Sequence, residues 1–417
     1  MAGNMTGKVA GNVADIIIIG AGIGGLTAAL ALQRTGQRVR VFERAAAFAE
    51  VGAGLTVGPN MLHGLAHLGL GEAVRAAAMT PEHGGVIDIA TGELLVANTR
   101  GRIPEQRYGQ PYTQMHRAEL HGILADAVGR NDPEALQLDH CLASLSQDAC
   151  SVTARFTNGN SACGDLLIGA DGSRSVVRDA LFPGHAPRFT GYVAWRCLVP
   201  MDRLPATPIY PDSAIMIGPH RSFARYRVSH GRLLNCTAFV DSPGWTDEGW
   251  SIPSSVEELL AHFADSAPIV SEIVRQTPAD ACFKWGLFDR DPLPCWTDGR
   301  VTLLGDAAHP MLPFLGQGAA MAIEDAVILA RALASVLARV LASTPEGPAA
   351  LLIYEQARRE RTSFVVQASR DAVREFHAPD TRGYDPARHR DAEALGLFSY
   401  NPATAPIPAQ PFHQPRG

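Results

Sequence analysis

Lysine is nearly missing from this chain of 417 residues: Lys8 and Lys284 are the only two, and arginine carries almost all the positive charge. With a formal net charge of −6, the composition gives no reason to expect a nucleic-acid partner. Long apolar runs are missing too, and no stretch approaches the roughly 20 residues that cross a bilayer. Residues 1–14 lack the charged and apolar regions of a signal peptide and are expected to be a disordered lead-in. Cysteine is sparse and unpatterned. The seven, Cys141, Cys150, Cys163, Cys197, Cys236, Cys282 and Cys295, make no Cys-x-x-Cys pair and have no histidine cluster at metal-ligand spacing. Reduced thiols in a cytoplasmic protein are the expectation, with no metal site. Hydrophobic residues at 46% and charged ones at 19% are the balance of a folded chain with a full-sized core.

What is present is glycine in particular places. Asp15 to Ile19 reads D-I-I-I-I, a short apolar run of the kind buried on both faces of a parallel sheet. Gly20-Ala21-Gly22-Ile23-Gly24-Gly25 follows, then a helix over Leu26 to Thr35 ended by Gly36, then a strand from Val39 to Phe42 that stops at Glu43. In that setting Gly20 permits a tight turn, Gly22 lets backbone approach a pyrophosphate, and Gly25 lets helix and strand pack closely. The helix start offers free N–H groups to the anion, and Glu43 can take ribose hydroxyls. This motif marks a dinucleotide site without separating FAD from NAD.

Two further motifs lie downstream. Leu166-Leu-Ile-Gly-Ala-Asp171-Gly172 runs from an apolar strand into a turn, followed by Arg174 and Arg178 on a short helix. Those arginines can meet phosphates or simply face solvent. Leu304-Gly305-Asp306 closes a buried strand over Arg300 to Leu304. A loop through His309, Pro310, Pro313, Phe314 and Gly316 then leads to Gly318 and Ala319, where a helix to Ala342 begins. Ser343 to Pro348 breaks that helix, Leu351 to Arg374 forms the next, and a Pro-rich tail beyond Ala378 is expected to wrap the surface. Phe189 to Phe239 is rich in β-branched and aromatic residues between turn signals, which predicts antiparallel sheet.

The predicted fold is α/β: a discontinuous Rossmann-like dinucleotide-binding domain with an inserted antiparallel β-sheet substrate domain and C-terminal helices. Residues 15–75, 110–182 and 290–345 form the first, 76–109 and 183–289 the second, and 346–417 the last.

The three motifs, in this order, resemble those of the group A flavoprotein aromatic hydroxylases, single-component FAD monooxygenases. Similar members include salicylate 1-hydroxylase, 3-hydroxybenzoate 6-hydroxylase and 6-hydroxynicotinate 3-monooxygenase. The resemblance spans Asp15 to about Pro402, taking in Val51-Gly-Ala-Gly54, Gly58-Pro-Asn60, His116-Arg117-Ala-Glu-Leu120, Gly191-Tyr-Val-Ala-Trp-Arg196 and Asp289-Arg-Asp-Pro-Leu293. It implies FAD as cofactor, NADH or NADPH and dioxygen as co-substrates, and hydroxylation of a small aromatic through a flavin C4a-hydroperoxide, in a monomer or homodimer. Gly20, Ala21, Gly22, Gly24 and Gly25 would cradle the pyrophosphate, with Glu43, Arg44 and Gly54 also at the cofactor. Arg117 would reach the phosphate and ribityl region, and Asp171 would lie in a motif serving both nucleotides. Asp306 would hold the ribityl chain, and the Gly318 and Ala319 amides would face the flavin N1–C2=O edge.

For the substrate, strand alternation puts Ser222, Ala224, Tyr226 and Val228 on one face, with Phe223, Arg225 and Arg227 on the other. The resemblance implies a pocket lined by Tyr226, Ser222, Thr56, Pro313 and Phe314, with Pro313 near the flavin C4a edge. Ser222 stands where relatives carry histidine. Thr56 and Phe314 stand where the 6-hydroxynicotinate enzyme has histidines, which argues against that substrate and against a histidine base. His309 sits inside the cofactor motif, and Trp195 and Trp285 read as packing residues. A larger natural-product substrate, hydroxylated or epoxidised on the same fold, is the alternative. A flavin scaffold without oxygenase activity, or an NAD-dependent dehydrogenase, is the other.

Overall fold

The computed structural model describes residues 13–48, 54–204, 209–245, 247, 251–337, 347–377, 381, 384–385 and 391–411. Most of the N-terminal lead-in, Val51 to Ala53, the end of the helix drawn to Ala342, the break beginning at Ser343 and parts of the tail lie outside those residues.

Asp15–Ile19 is the fourth strand of a six-stranded sheet ordered Thr297–Asp298, Val301–Leu303, Leu166–Gly169, Asp15–Ile19, Arg38–Phe42, Leu136–Gln137. Its neighbours Leu166–Gly169 and Arg38–Phe42 both run parallel to it. Ile16, Ile17 and Ile18 are fully buried, as a strand covered on both faces requires. All three glycine motifs therefore emerge at the same end of one sheet, although more than 130 residues separate each from the next. Helix Ile23–Arg34 packs against Gly318–Leu337 and Arg117–Asn131.

That first helix begins three residues earlier than Leu26, with Gly24 and Gly25 inside it. Glycine is a poor helix former, so local propensity points to a later start. Packing overrides it: a Cβ on Gly25 would sit 1.9 Å from the Gly20 carbonyl oxygen, and one on Gly24 2.9 Å from the Leu304 side chain. Helix Gly347–Phe376 likewise extends past both predicted ends.

The second sheet has eight strands, ordered Ile252–Pro253, Cys282–Asp289, Arg188–Pro200, Leu233–Asp241, Arg221–Val228, Ser213–Gly218, His83–Asp88, Leu94–Thr99. It is antiparallel, as predicted over Phe189 to Phe239, except where Ser213–Gly218 pairs in parallel with the outlying His83–Asp88. The crossover from residue 88 to residue 213 makes that pairing possible. One face carries a core of Trp195, Phe223, Leu234, Phe263, Val270 and Ile273, covered by helices Val256–Ala261 and Pro268–Arg275. The other face looks onto the nucleotide-binding sheet, and a cavity lies between them.

The tail departs from expectation as well. Leu397 and Phe398 are each 1% exposed and belong to the main core, while Arg331 donates to the carbonyls of Pro402 and Ala405 at 2.6 and 2.9 Å. Described parts of the tail thus seal the fold rather than merely wrapping it. No helix among the described residues is long and apolar enough to cross a membrane.

Candidate active site

The phosphate loop is shaped by close approaches. Gly20 has φ +100°, and a Cβ there would lie 2.5 Å from the Ala170 carbonyl oxygen. Gly22 differs, because a Cβ there would meet nothing within 4 Å. Gly22 is also the N-cap of helix Ile23–Arg34, and no side chain caps that helix, which leaves first-turn N–H groups for an anion. Glu43 ties the loop in place: its carboxylate accepts from the amides of Ala21 at 2.8 Å and Ala45 at 3.0 Å. Each oxygen keeps acceptor capacity for a ribose. Arg44 beside it is exposed. The open cradle, uncapped helix start and adjacent acid fit the diphosphate and adenosine ribose of FAD.

Asp171 works through a helix. Its carboxylate accepts from the Ser175 hydroxyl at 2.5 Å and from the amides of Val176 and Val177 at 2.7 and 3.2 Å, which fixes the start of helix Val176–Leu181. Burial raises its pKa against those hydrogen bonds. Arg178 is 1% exposed, so it is no solvated face. It donates to the carbonyls of Ser173 at 2.7 Å and Ala307 at 3.2 Å, bridging the second motif to the third. Arg174 is exposed at the cavity edge.

Asp306 borders the cavity and is exposed to it. Desolvation by the surrounding protein raises its pKa, while the charges of His309, Arg117 and Arg178 pull the other way. Gly318 and Ala319, at the start of helix Gly318–Leu337, border the same space. His309 does not line it. Its Nε2 lies 2.6 Å from Asp325, inside a buried network in which Arg358 bonds both Asp325 at 2.7 Å and Glu324 at 2.8 Å. Burial would raise the Asp325 pKa, but His309 and Arg358 overcome it and hold the carboxylate at about 2. Asn60 joins the network, donating to Glu324 at 2.8 Å and to Gln317, on the cavity wall, at 3.0 Å. The network therefore fixes the loop from Gly305 to Gly318.

The cavity measures about 750 Å³, within the range of roughly 300–1,000 Å³ usual for small-molecule sites. One end is bordered by Arg117, Asp306 and the segment 310–319, the other by the face of the eight-stranded sheet. Strand register lays out that face. Arg196, Thr237, Ala224, Ile215 and Val86 form one line across it. On one side run Trp285, Ala194, Phe239, Ser222 and Ile217. On the other run Asn235, Tyr226, Ser213 and Gly84. The floor is thus apolar along one edge and polar along the other.

Tyr226, Thr56, Pro313 and Phe314 all line the cavity, together with Gly54. A Cβ on Gly54 would lie 2.6 Å from Tyr226 Cε2 and 2.7 Å from Asn235 Cγ. Its amide donates to Asn235 Oδ1 at 2.7 Å. In this structure it packs against the polar edge of the floor. Burial raises the Tyr226 pKa and keeps the phenol protonated. Phe314 packs against Phe239 with ring centroids 4.8 Å apart and closes the apolar side.

Ser222 shares the predicted face but does not reach the cavity. It is fully buried, and its hydroxyl lies 3.2 Å from His377 Nε2. His377 Nδ1 meets Asp241 at 2.8 Å, and Asp241 meets the exposed His220 at 2.8 Å. A histidine does stand beside Ser222, but it comes from the end of helix Gly347–Phe376, about 150 residues away, where no local motif announces it. Arg225 donates to the carbonyls of Pro211 and Tyr210 at 2.8 and 2.9 Å, away from the cavity as alternation requires. Trp195 is packing. Trp285 lines the cavity beneath the Arg196 guanidinium. Arg196 ends the Gly191–Arg196 motif, and nothing in the residues beside it announces its place on the cavity wall.

The model for the FAD binding domain family matches residues 13–369. The 3-amino-4-hydroxybenzoate 2-monooxygenase PtnB3 of Streptomyces platensis is 38% identical over 365 residues, covering 88% of this chain and 89% of its own. The 3-hydroxybenzoate 6-hydroxylase of Polaromonas naphthalenivorans is 35% identical over 403 residues, covering 94% and 97%. Among solved structures, Klebsiella pneumoniae HpxO complexed with FAD and uric acid superposes with a TM-score of 0.80 at 29% identity, covering 94% of this chain and 97% of that one. The chain belongs to the FAD-binding family of group A flavoprotein aromatic hydroxylases.

Proposed function

We propose that this FAD-dependent monooxygenase hydroxylates a small aromatic acid of the hydroxybenzoate type, using NADH or NADPH and dioxygen. The observation that carries the reading is the single cavity joining Asp306 and Gly318 to the face bearing Tyr226 and Thr237. Bound FAD supplies the redox chemistry, accepting a hydride and activating dioxygen. The chain's own groups do the rest. Asp306 and the Gly318 and Ala319 amides hold the flavin, where the helix start favours negative charge. Pro313, Phe314 and Leu312 exclude water from the reacting face. The protonated Tyr226 donates to an oxygen on the ring, with Thr56 also on the cavity wall.

In this reading residues 15–75, 110–182 and 290–345 hold the cofactor and 76–109 and 183–289 frame the substrate. The protein works in the cytoplasm as a monomer or homodimer. Incubation of the FAD-loaded protein with NADH, each monohydroxybenzoate and isotopically heavy dioxygen tests the activity. The expected product is a dihydroxylated ring carrying one heavy oxygen. Product with light oxygen, or none from any hydroxybenzoate, overturns the proposal.

A further inference from the structure

We propose that Arg100 is a positioning residue that pins segment 391–398 as a wall of the substrate cavity, and that this pin keeps water out of the reacting space. The inference rests on the hydroxylase reading above and specifies what closes its site.

Segment 391–398 is one layer of chain between the cavity and solvent. Asp391, Ala392 and Phe398 line the cavity, while Ala394 and Gly396 between them are exposed. Its two ends are held differently. Phe398 belongs to the main core and packs against the rings of Tyr108 and Tyr112. At the other end the apolar contribution comes from Ala392 and the partly buried Leu395, and charge does most of the holding. Arg100 donates to Asp391 at 2.9 Å and to Glu393 at 2.7 Å. Glu393 also accepts from Arg107 at 2.9 Å and from the Tyr108 hydroxyl at 3.3 Å.

Arg100 is built into the sheet that faces this segment. It follows strand Leu94–Thr99 at the edge of the eight-stranded sheet. Its stem runs beside Gly84, where a Cβ would lie 3.6 Å from Arg100 Cγ and 3.5 Å from Nε. Register places Gly84 between Ser213 and Asn98, so the polar edge of the floor that carries Tyr226 ends at Arg100. The guanidinium carbon lies 4.6 Å from the centroid of the Tyr112 ring, which also lines the cavity. One buried side chain thus ties the floor, Tyr112 and the C-terminal segment together. Ion pairs shielded from solvent are screened far less than surface pairs. Without Arg100, Asp391 and Glu393 lose the cation they share and repel each other. Arg107, with its side chain 60% exposed, is too well solvated to replace it.

The test compares the FAD-loaded protein with its Arg100→Met, Arg100→Lys and Arg107→Met variants. Two measurements need no aromatic substrate: amide hydrogen exchange in 391–398, followed by mass spectrometry, and iodide quenching of flavin fluorescence at constant ionic strength. Arg100→Met is expected to speed exchange in that segment roughly tenfold or more and to raise iodide quenching about threefold. With whichever hydroxybenzoate stimulates NADH oxidation, KM should rise about tenfold, kcat should move less than about threefold, and peroxide should become the main product. Arg100→Lys should recover part of each effect, because an ammonium keeps the charge but lacks the fork that pairs two carboxylates. Arg107→Met should stay near wild type. FAD content reports folding, and Glu393→Gln, with the same changes at smaller size, serves if Arg100→Met loses the cofactor. Unchanged exchange, unchanged iodide access, or a KM within about threefold of wild type overturns the proposal. Because exchange and iodide access are read without substrate, a protein that hydroxylates no hydroxybenzoate would sink the function alone.

Discussion

Gly54 packs against Tyr226 and Asn235 on the cavity wall, and replacing it with alanine has a calculable effect. The added Cβ would sit 2.6 Å from Tyr226 Cε2, 2.7 Å from Asn235 Cγ and 2.8 Å from Asn235 Cβ. Carbon atoms in contact rest at about 3.5–4.0 Å, so strand Gly54–Val57 and the sheet must separate by about 1 Å. That movement also stretches the 2.7 Å bond from the Gly54 amide to Asn235. Overpacking of this kind costs roughly 1–3 kcal/mol of stability. A displacement of that size in a positioning residue costs on the order of 100-fold in rate. None of the crowded atoms belongs to the phosphate loop or to the 305–319 segment. Gly54→Ala is therefore expected to keep its FAD, read from the visible-to-ultraviolet absorbance ratio, while kcat/KM for the aromatic substrate falls about 100-fold. Loss of FAD with unchanged substrate affinity in the remaining holoenzyme would refute the reasoning and return Gly54 to the cofactor.

Gly25→Ala should do the opposite. Its Cβ would overlap the Gly20 carbonyl, so FAD content should collapse, and a fully flavinylated variant would contradict the loop assignment. Ser222→Ala should leave KM within about threefold of wild type and cost roughly 1 kcal/mol of stability through the bond to His377; a large KM effect would place Ser222 at the substrate after all. Acid stability has two stages. Burial lowers the His377 pKa from 6.5 despite Asp241. The unfolded chain thus binds the proton first, and stability begins to fall as pH drops below 6.5. Asp325, depressed from 3.8 to about 2, contributes on the order of 2 kcal/mol above pH 3.8, lost as pH falls toward 2. Urea titrations across pH check both, and a His377→Gln variant that retained the upper stage would be the contrary result.

The parts legible in the sequence are those fixed locally. The Asp15–Ile19 run, the turn glycines and Glu43 carry their environments in their neighbours. Alternation through Ser222, Ala224 and Tyr226 correctly separated the cavity face from Arg225. The misreadings share one cause, which is distance along the chain. Helix Ile23–Arg34 starts at its glycines because Leu304 and the Gly20 carbonyl press on it. Ser222 lies on the right face but is covered from the cavity, its hydroxyl meeting His377 from a helix about 150 residues on. Arg178, whose neighbours leave it open between phosphate and solvent, is instead held by the carbonyls of Ala307 and Ser173. Phe398 looks like tail because apolar residues without periodicity give no signal of burial.

The central claim is tested most directly by NADH oxidation in the purified FAD-loaded enzyme, with salicylate, 3-hydroxybenzoate, 4-hydroxybenzoate, 6-hydroxynicotinate and anthranilate, and peroxide measured alongside. The account predicts strong stimulation by a hydroxybenzoate, little peroxide and a hydroxylated product. Full FAD with no stimulation by any of the five would contradict it and direct attention to larger substrates.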